Sequence, residues 1–362
     1  MKQDHYADVG LFPGKSTALG VLGFILFLVS LPLYLPEYNF YLLNLMIAHV
    51  IIVVGLNILA GGTGQISLGH AGFFAIGAYG TVLLMQKLGI PFIPALVLAG
   101  FIAAFFGFVV GLPALKLEGP YLSIATLAFG LAITHIIGHV DIFGGRTGIQ
   151  APPLDLGIPQ WGLSYVLSSD VQKYWLFLVV ALLMAAGARN IMKTRVGRSF
   201  KAIRDSNVAA GVMGINLPAY KTLAFAVSAF YAGIAGGLFG FVLGFFNPEP
   251  FNLVLSITFL IMAVVGGLSS IAGSVAGAAL ITYLQFSLLK NIDEIPYFGT
   301  LLTSISERWF TDEGLHNIDS IVLGIIMVII IIFEPSGLYG VWLRIKGYVQ
   351  KTPRDTHKAG EV

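Results

Sequence analysis

Long stretches of apolar residues with few charges dominate this sequence, and they constrain the fold more than any other feature. A helix that crosses the hydrocarbon core of a bilayer needs about 20 mostly apolar residues. Only 10% of the residues are charged and the mean hydropathy is +0.87, whereas globular proteins carry about 25% charged residues. The chain has too little charge to cover a water-soluble surface of this size. We therefore predict an all-α polytopic membrane protein.

The apolar stretches, separated by charged or Pro/Gly-rich breaks, predict about ten membrane-spanning helices. The first stretch is expected to be a retained span, because Asp4 and Asp8 interrupt the basic N-terminal region of a signal peptide and no small-residue cleavage site follows. The predicted spans are 17–35, 40–60, 68–86, 92–113, 121–143, 174–192, 222–245, 253–269, 271–289 and 320–333.

The distribution of basic residues predicts the orientation. Cytoplasmic loops of membrane proteins are enriched in Lys and Arg. If both termini are cytoplasmic, fifteen of the twenty Lys and Arg residues fall on the cytoplasmic side. The predicted organisation is a cytoplasmic tail at 1–16, a transmembrane domain at 17–335 with a cytoplasmic loop at 193–221 and external loops at 144–173 and 291–318, and a cytoplasmic tail at 336–362.

No motif in the sequence predicts catalysis. Residues 10–16 resemble a phosphate-binding loop, but they have three residues between the glycines where the motif needs four, and they lead directly into a span. The chain has no cysteine, no His-Glu-x-x-His pair and no Gly-x-Ser-x-Gly motif. We therefore expect neither an enzyme nor a metal or cofactor site, and the net charge of +2 gives no sign of a nucleic-acid partner.

Polar residues cluster at the glycine-rich start of the third span, within residues 55–79, and again at the start of the fifth. Broken helices at membrane depth are tolerated where they are buried in protein or line a cavity. Two interpretations are therefore open, close helix packing through glycine and a translocation path lined by at least one polar group. The candidate path residues are Asn57, Gln65, Ser67, His70, Ser123 and Thr126.

Glycines recur at every third or fourth position in the seventh span and again in the ninth. Small residues at this spacing allow helices to approach closely. We expect them to pack against neighbouring helices, including those of a second subunit. These glycines are Gly233, Gly236, Gly237, Gly240 and Gly244, followed by Gly273 and Gly277.

The cytoplasmic loop 193–221 is long for a connector between two spans. Its pattern predicts a helix that begins near Arg198, places Phe200, Ile203 and Asn207 on one face and stops at Gly214. One interpretation is a basic loop that fixes the topology by contact with anionic lipid. The other is a short cytosolic helix that docks on a soluble partner.

Several stretches resemble the permeases of ABC importers for branched-chain amino acids. Ala209-Ala210 followed by Gly214 is similar to the Glu-Ala-Ala-x-x-x-Gly loop of ABC permeases, with Val208 in place of the glutamate. The other similar stretches are 197–216, 55–79, 119–127, 144–149, 266–273 and 333–338. The resemblance implies an ATPase-coupling segment that contains Arg198, Phe200, Ile203, Arg204, Asp205, Ala209, Ala210, Met213 and Gly214.

The resemblance also implies an ABC importer permease architecture in a bacterial-type plasma (inner) membrane. The expected partners are a second related permease, two cytosolic ABC ATPase subunits, an external solute-binding protein and a small amino-acid substrate. Three alternatives remain open: import of urea, short-chain amides or another small solute by the same family, a secondary carrier that works alone, and a structural membrane protein.

Overall fold

The structure is a computed structural model that describes residues 15–113, 117, 119–157, 165–288, 324, 328, 337–341 and 344. Some of the segments predicted from the sequence fall outside these residues. They are nearly all of the N-terminal tail, the whole external loop 291–318, the tenth span at 320–333 apart from residues 324 and 328, and most of the C-terminal tail.

Helices make up most of the described chain. Six of the described helices are long and apolar enough to cross a membrane, and they are Asn39–Thr63, His70–Leu88, Phe92–Gly111, Pro120–His139, Asp170–Lys193 and Leu217–Leu243. Three shorter apolar helices lie at Leu22–Leu33, Leu253–Gly266 and Ile271–Phe286. Within the described residues these nine match the first nine predicted spans in order. The α-helices are α1 (Lys15–Ser30), α2 (Asn39–Thr63), α3 (His70–Leu88), α4 (Phe92–Gly111), α5 (Pro120–His139), α6 (Asp170–Lys193), α7 (Arg195–Asp205), α8 (Asn207–Val212), α9 (Leu217–Leu243), α10 (Leu253–Gly266) and α11 (Ile271–Tyr283).

Several helix ends differ from the predicted span limits, and local chemistry explains the differences. Helix α1 gives way at Leu31–Leu33 to a 3₁₀ turn that contains Pro32, because proline cannot donate the next helical hydrogen bond. Helix α10 ends at Gly266, since Gly267 leaves the helical region with φ of 110°. Helix α9 begins five residues before the predicted limit, where the Asn216 side chain accepts the backbone N–H of Ala219.

Helices α2 and α9 form the centre of the bundle. Most of each is buried, whereas most residues of α5 and α6 are only partly buried or exposed. Helix α9 packs against α2, α3 and α4, and α2 also packs against α6, α10 and α11. The core between them is rich in aromatic side chains, including Phe74, Tyr79 and Phe259. The apolar outer surfaces of α4, α5 and α6 suit contact with lipid or with another apolar subunit.

Glycine sets the distance between the central helices. A methyl group on Gly77 of α3 would overlap the backbone of Gly233 on α9, and one on Gly236 would overlap the carbonyl of Phe74. The close packing predicted from the glycine spacing is therefore confirmed for these glycines, and the contacts lie within one subunit. The prediction was wrong for Gly244, which ends α9 and has nothing within 4 Å. Such approaches let backbones meet where the lipid supplies no hydrophobic driving force between helices.

Two short antiparallel strand pairs add to the helical fold. Strand β1 (Ile149–Gln150) pairs with β4 (Phe245–Phe246), and β2 (Leu154–Asp155) pairs with β3 (Val166–Leu167). The Gln86 side chain also donates to the Gln150 carbonyl at 2.7 Å. All these segments are external in the predicted ten-span order. The opposite end of the bundle brings together the ends of α2 and α10, the start of α5 and helix α7. This grouping agrees with the predicted alternation of spans.

Candidate functional site

Helix α7 is a short amphipathic helix at the end of the bundle. It follows α6 after a kink at Thr194, whose backbone is extended. Its apolar face, formed by Gly197, Phe200 and Ile203, is buried, and Lys201 lies exposed on the same helix. The burial of Phe200 and Ile203 confirms the face predicted from the sequence. Because this face packs against α2, α6 and α9, helix α7 is attached to three membrane helices.

The predicted single helix ending near Gly214 is in fact two helices. Ser206 breaks the chain with an extended backbone, and its hydroxyl accepts the Ala209 N–H at 3.2 Å to start α8. The prediction that Asn207 shares a helix face with Phe200 and Ile203 was therefore wrong. Serine favours this break because its side chain replaces the hydrogen bonds that a continuous helix would make. Gly214, with φ of 81°, follows Met213, the residue that caps the C-terminal end of α8.

Helix α8 presents an exposed apolar tip. Val208, Val212 and Met213 are 79%, 83% and 82% exposed, whereas Ala210 is buried. These three residues form the α8 tip. Such clustered apolar exposure outside the spans is typical of a surface that binds a partner.

Two arginines of α7 have different surroundings. The Arg198 guanidinium donates to the Lys193 carbonyl at 3.3 Å and stays within the connecting segment. Arg204 reaches the membrane helices, since its Nη1 donates to the Gly61 carbonyl at 3.0 Å and to Ser269 Oγ at 2.6 Å. Its Nε and Nη2 hold Asp205 Oδ1 at 3.1 and 3.0 Å. Arg204 therefore joins α7 to the end of α2 and to the turn between α10 and α11.

Asn57 of α2 lies beneath the same turn. Its Nδ2 donates to Ser274 Oγ at 2.6 Å and to the Ser270 carbonyl at 3.1 Å. Its Oδ1 accepts the Ser269 N–H at 2.6 Å. Because the whole side chain is buried and bonded to α11 and its preceding turn, Asn57 holds helices together at this point.

Ser67 and His70 form a second buried set of polar contacts. His70 is hydrogen-bonded through Nδ1 to Ser67 Oγ at 2.9 Å and through Nε2 to Ser228 Oγ of α9 at 2.7 Å. Ser256 of α10 accepts the Ala71 N–H at 3.0 Å close by. The start of α3 is thus fixed to both α9 and α10 by polar bonds.

Ser123 and Thr126 attach the start of α5 to the connection between α2 and α3. Thr126 Oγ1 accepts the Leu68 N–H at 3.0 Å and donates to the Ser123 carbonyl at 2.9 Å. Ser123 Oγ donates to the Ile66 carbonyl at 3.3 Å. Like Asn57, Ser67 and His70, these two residues make their hydrogen bonds inside the protein.

Gln65 is the candidate path residue that borders an open space. It accepts a hydrogen bond from Thr63 at 3.0 Å and helps to line a cavity of about 270 Å³. Polar side chains on several elements share this cavity. The residues that line it are Thr63, Gly64, Gln65, Ile66, Leu117, Gly119, Leu122, Ile203, Arg204, Asn207 and Lys221.

His49 is a buried polar residue that the sequence reasoning missed. It lies near the middle of α2, where Nδ1 is 2.8 Å from Thr282 Oγ1 of α11 and Nε2 has no hydrogen-bond partner. The rings of Phe239, Phe259 and Phe286 surround it. A histidine inside the apolar stretch 40–60 was the available signal, because ionisable residues within spans are rare and often functional. No group of three or more His, Asp and Glu side chains that could hold a metal ion occurs among the described residues.

The fold and the site together define a multi-pass helical membrane protein with an amphipathic two-helix segment at one end of its bundle. Residues 38–331 match the family described as "Branched-chain amino acid transport system / permease component". The chain belongs to this family, and it is of the LivM type.

Three relatives illustrate the range of similarity. The chain is 31% identical over 316 residues to the high-affinity branched-chain amino acid transport system permease protein LivM of Escherichia coli K12, a match that covers 82% of this chain and 68% of that protein. It is 26% identical over 263 residues to LivH of the same strain, covering 69% and 84%. It is 25% identical to a probable LivM of Methanocaldococcus jannaschii, covering 67% and 68%. No solved structure shows a significant match to this chain.

Proposed function

We propose that this chain is one permease subunit of an ATP-driven importer for branched-chain amino acids. In this assembly it pairs with a second related permease, as the separate similarities to LivM and LivH suggest. Two cytosolic ABC ATPase subunits hydrolyse ATP, an external solute-binding protein delivers the amino acid, and the permease itself hydrolyses nothing. The chain supplies the path across the membrane and the surface on which an ATPase acts.

The observation that carries this proposal is the exposed α8 tip beside basic α7. Val208, Val212 and Met213 project from a segment outside the spans, where their burial against a partner would be favourable. Lys and Arg residues on α6 and α7 give the same end a positive charge that favours the cytoplasmic side. We propose that the α8 tip enters an apolar groove of the ATPase and that α7 lies between this contact and the membrane helices.

The proposed topology has ten spans with both termini in the cytoplasm. Contacts between described segments support it, since they join segments that this topology assigns to the same side. Strand β1 meets β4 at the end assigned to the outside. Arg204 meets Gly61 and Ser269 at the end assigned to the cytoplasm.

The translocation path is proposed to open to the cytoplasm beside Gln65. Its side chain borders the cavity that α7 also lines, and the zwitterion of an amino acid needs few polar groups beside apolar walls. Asn57, His70, Ser123 and Thr126 are proposed to fix the helices around the path, because each makes hydrogen bonds between segments. Ser67 is proposed to hold the His70 ring through its hydroxyl.

Purification of tagged protein from its native cells in mild detergent tests the ATPase partnership. We expect an ATP-binding subunit to co-purify with wild type and with Val212→Leu, which keeps the tip apolar. Val212→Asp should lose it, because an unpaired charge would have to enter the apolar groove. Full retention by Val212→Asp would refute docking through the α8 tip, and absence of any ATP-binding subunit from wild type would refute the importer.

Reconstitution of the purified complex in liposomes tests the solute. ATP-dependent uptake of labelled leucine supports the proposal. Uptake of urea or a short amide without leucine would favour the alternative substrates within the same family. Gradient-driven uptake by the permease alone would identify a secondary carrier.

A further inference from the structure

Three parts of the chain meet at Ser269: the turn that joins α10 to α11, helix α2 and helix α7. Ser269 Oγ donates to the Gly61 carbonyl of α2 at 2.6 Å and accepts Nη1 of Arg204 from α7 at 2.6 Å. The Ser269 N–H donates to Asn57 Oδ1, also on α2. Arg204 additionally donates to the Gly61 carbonyl at 3.0 Å. Arg204, Gly61 and Ser269 thus form a closed triangle of hydrogen bonds, which we call the α7 junction.

The backbone of Ser269 is unusual within this junction. Its φ is 71°, and it is the one non-glycine residue with a positive φ among the residues that the structure describes. A non-glycine residue persists in this conformation only where its surroundings hold it. Here Asn57 holds the Ser269 N–H and Arg204 holds the hydroxyl. The conformation of the α10–α11 turn therefore depends on contacts from α2 and α7.

Close contacts restrict movement of α7 relative to α2 and the α10–α11 turn. A methyl group on Gly61 would overlap Asn57 Oδ1 and the Ser269 backbone, so α2 and the turn are in direct contact. The Arg204 guanidinium is oriented by two bonds to Asp205 as well as by its bonds across the junction. The buried side chains of Phe200 and Ile203 attach the rest of α7 to the same bundle. A displacement of α7 must therefore move the turn or break these bonds.

We propose that the Arg204–Ser269 contact is the link by which movement of α7 and α8 reaches the α10–α11 turn and, through it, the start of α11. Arg204 acts here as a positioning residue that transmits movement and does not contact the solute. The inference rests on the proposed function, since it takes the movement of α7 and α8 to be driven by an ATPase. It assigns to the turn at Ser269 a role in opening the path, in addition to its role in packing.

A comparison of Arg204→Gln, Ser269→Gly and the double variant tests this link in the reconstituted complex. Glycine accepts the backbone conformation of Ser269 without strain and removes the hydroxymethyl side chain, so the turn can keep its shape without the hydroxyl. Lys201→Gln is the matched control, because it removes the same charge from an exposed position on the same helix. The quantities measured are ATP hydrolysis, leucine uptake and the ratio of the two.

We expect each single variant to assemble and hydrolyse ATP but to lower the leucine taken up per ATP by about tenfold, a typical size for coupling between sites. The double variant should be no worse than either single one, because both remove the same contact. An unchanged ratio, additive effects or an equal loss in Lys201→Gln would each overturn the link. If Arg204→Gln fails to assemble, the leucine taken up per ATP by Ser269→Gly decides whether the proposed link exists. Failure of wild type to bind an ATPase would instead refute the proposed function.

Discussion

Replacing Asn57 by alanine is predicted to destabilise the folded protein, because the Asn57 amide attaches the end of α2 to the α10–α11 turn. Its Nδ2 donates to Ser274 Oγ at 2.6 Å, to the Ser270 carbonyl at 3.1 Å and to the Gly267 carbonyl at 3.3 Å. Its Oδ1 accepts the Ser269 N–H at 2.6 Å. The side chain is buried, so water does not replace these bonds in the folded variant.

The expected loss in the free energy of unfolding depends on which polar groups are left without a hydrogen-bond partner. Ser274 Oγ can still donate to the Ser270 carbonyl at 3.1 Å, whereas the Ser269 N–H loses its hydrogen-bond acceptor. A buried donor left without a partner costs about 1–3 kcal/mol, and an interhelical side-chain hydrogen bond in a membrane protein contributes about 0.6 kcal/mol. The two shortest donor bonds and the orphaned N–H together give a loss of roughly 2–4 kcal/mol.

Denaturant unfolding of the purified protein in mild detergent, followed by tryptophan fluorescence, measures this loss. Asn44→Ala is the matched control on the same helix, because its Nδ2 makes one bond to the Asp170 carbonyl and its Oδ1 has no partner. We expect the control to lose less than about 1 kcal/mol. If Asn57→Ala is as stable as Asn44→Ala, the reasoning is refuted, because the Asn57 amide would then contribute no more to stability than the Asn44 amide with its one hydrogen bond.

Two further substitutions test the packing and the cavity. Gly77→Leu should abolish the folded, monodisperse fraction in size-exclusion chromatography, because a side chain there would overlap the Gly233 backbone. Gly20→Ala is the control and should leave this fraction unchanged, since nothing lies within 4 Å of that position. A folded Gly77→Leu protein would contradict the close spacing of α3 and α9. Gln65→Leu should raise the KM for uptake by about two- to tenfold, the value of one lost hydrogen bond. Ser30→Ala, which removes a bond within its own helix, is its control, and equal KM values in both would count against a path beside Gln65.

The membrane class and the order of the spans could be predicted from the sequence, because hydropathy sums over about 20 neighbouring residues. The predicted span 40–60 lies within α2 (Asn39–Thr63). The end of α10 could not be predicted as well. The turn after Gly266 contains Ser269 in a left-handed conformation, and that conformation depends on Asn57, which is more than two hundred residues away. Local composition carries no signal for such a contact.

The candidate coupling segment was predictable only where its pattern is local. The helical period placed Phe200 and Ile203 on one buried face, as the structure confirms. The break at Ser206 was missed, although a serine three residues before Ala209 is a recognisable capping signal. The contact of Arg204 with Ser269 joins residues 65 positions apart. Spacing along one helix cannot reveal this partner, so the α7 junction required the three-dimensional structure.

A polar residue inside a span has the same appearance in a sequence whether it touches solute or another helix. Hydrocarbon offers no hydrogen-bond partner, so every buried polar group gains by finding one in the protein. His70 finds Ser228 on α9, and Asn57 finds Ser274 on α11. Such bonds can select helix partners and register in a bilayer where apolar side chains discriminate poorly between protein and lipid. The search for the path should therefore begin with polar side chains that face open space, and among the six candidates that criterion selects Gln65.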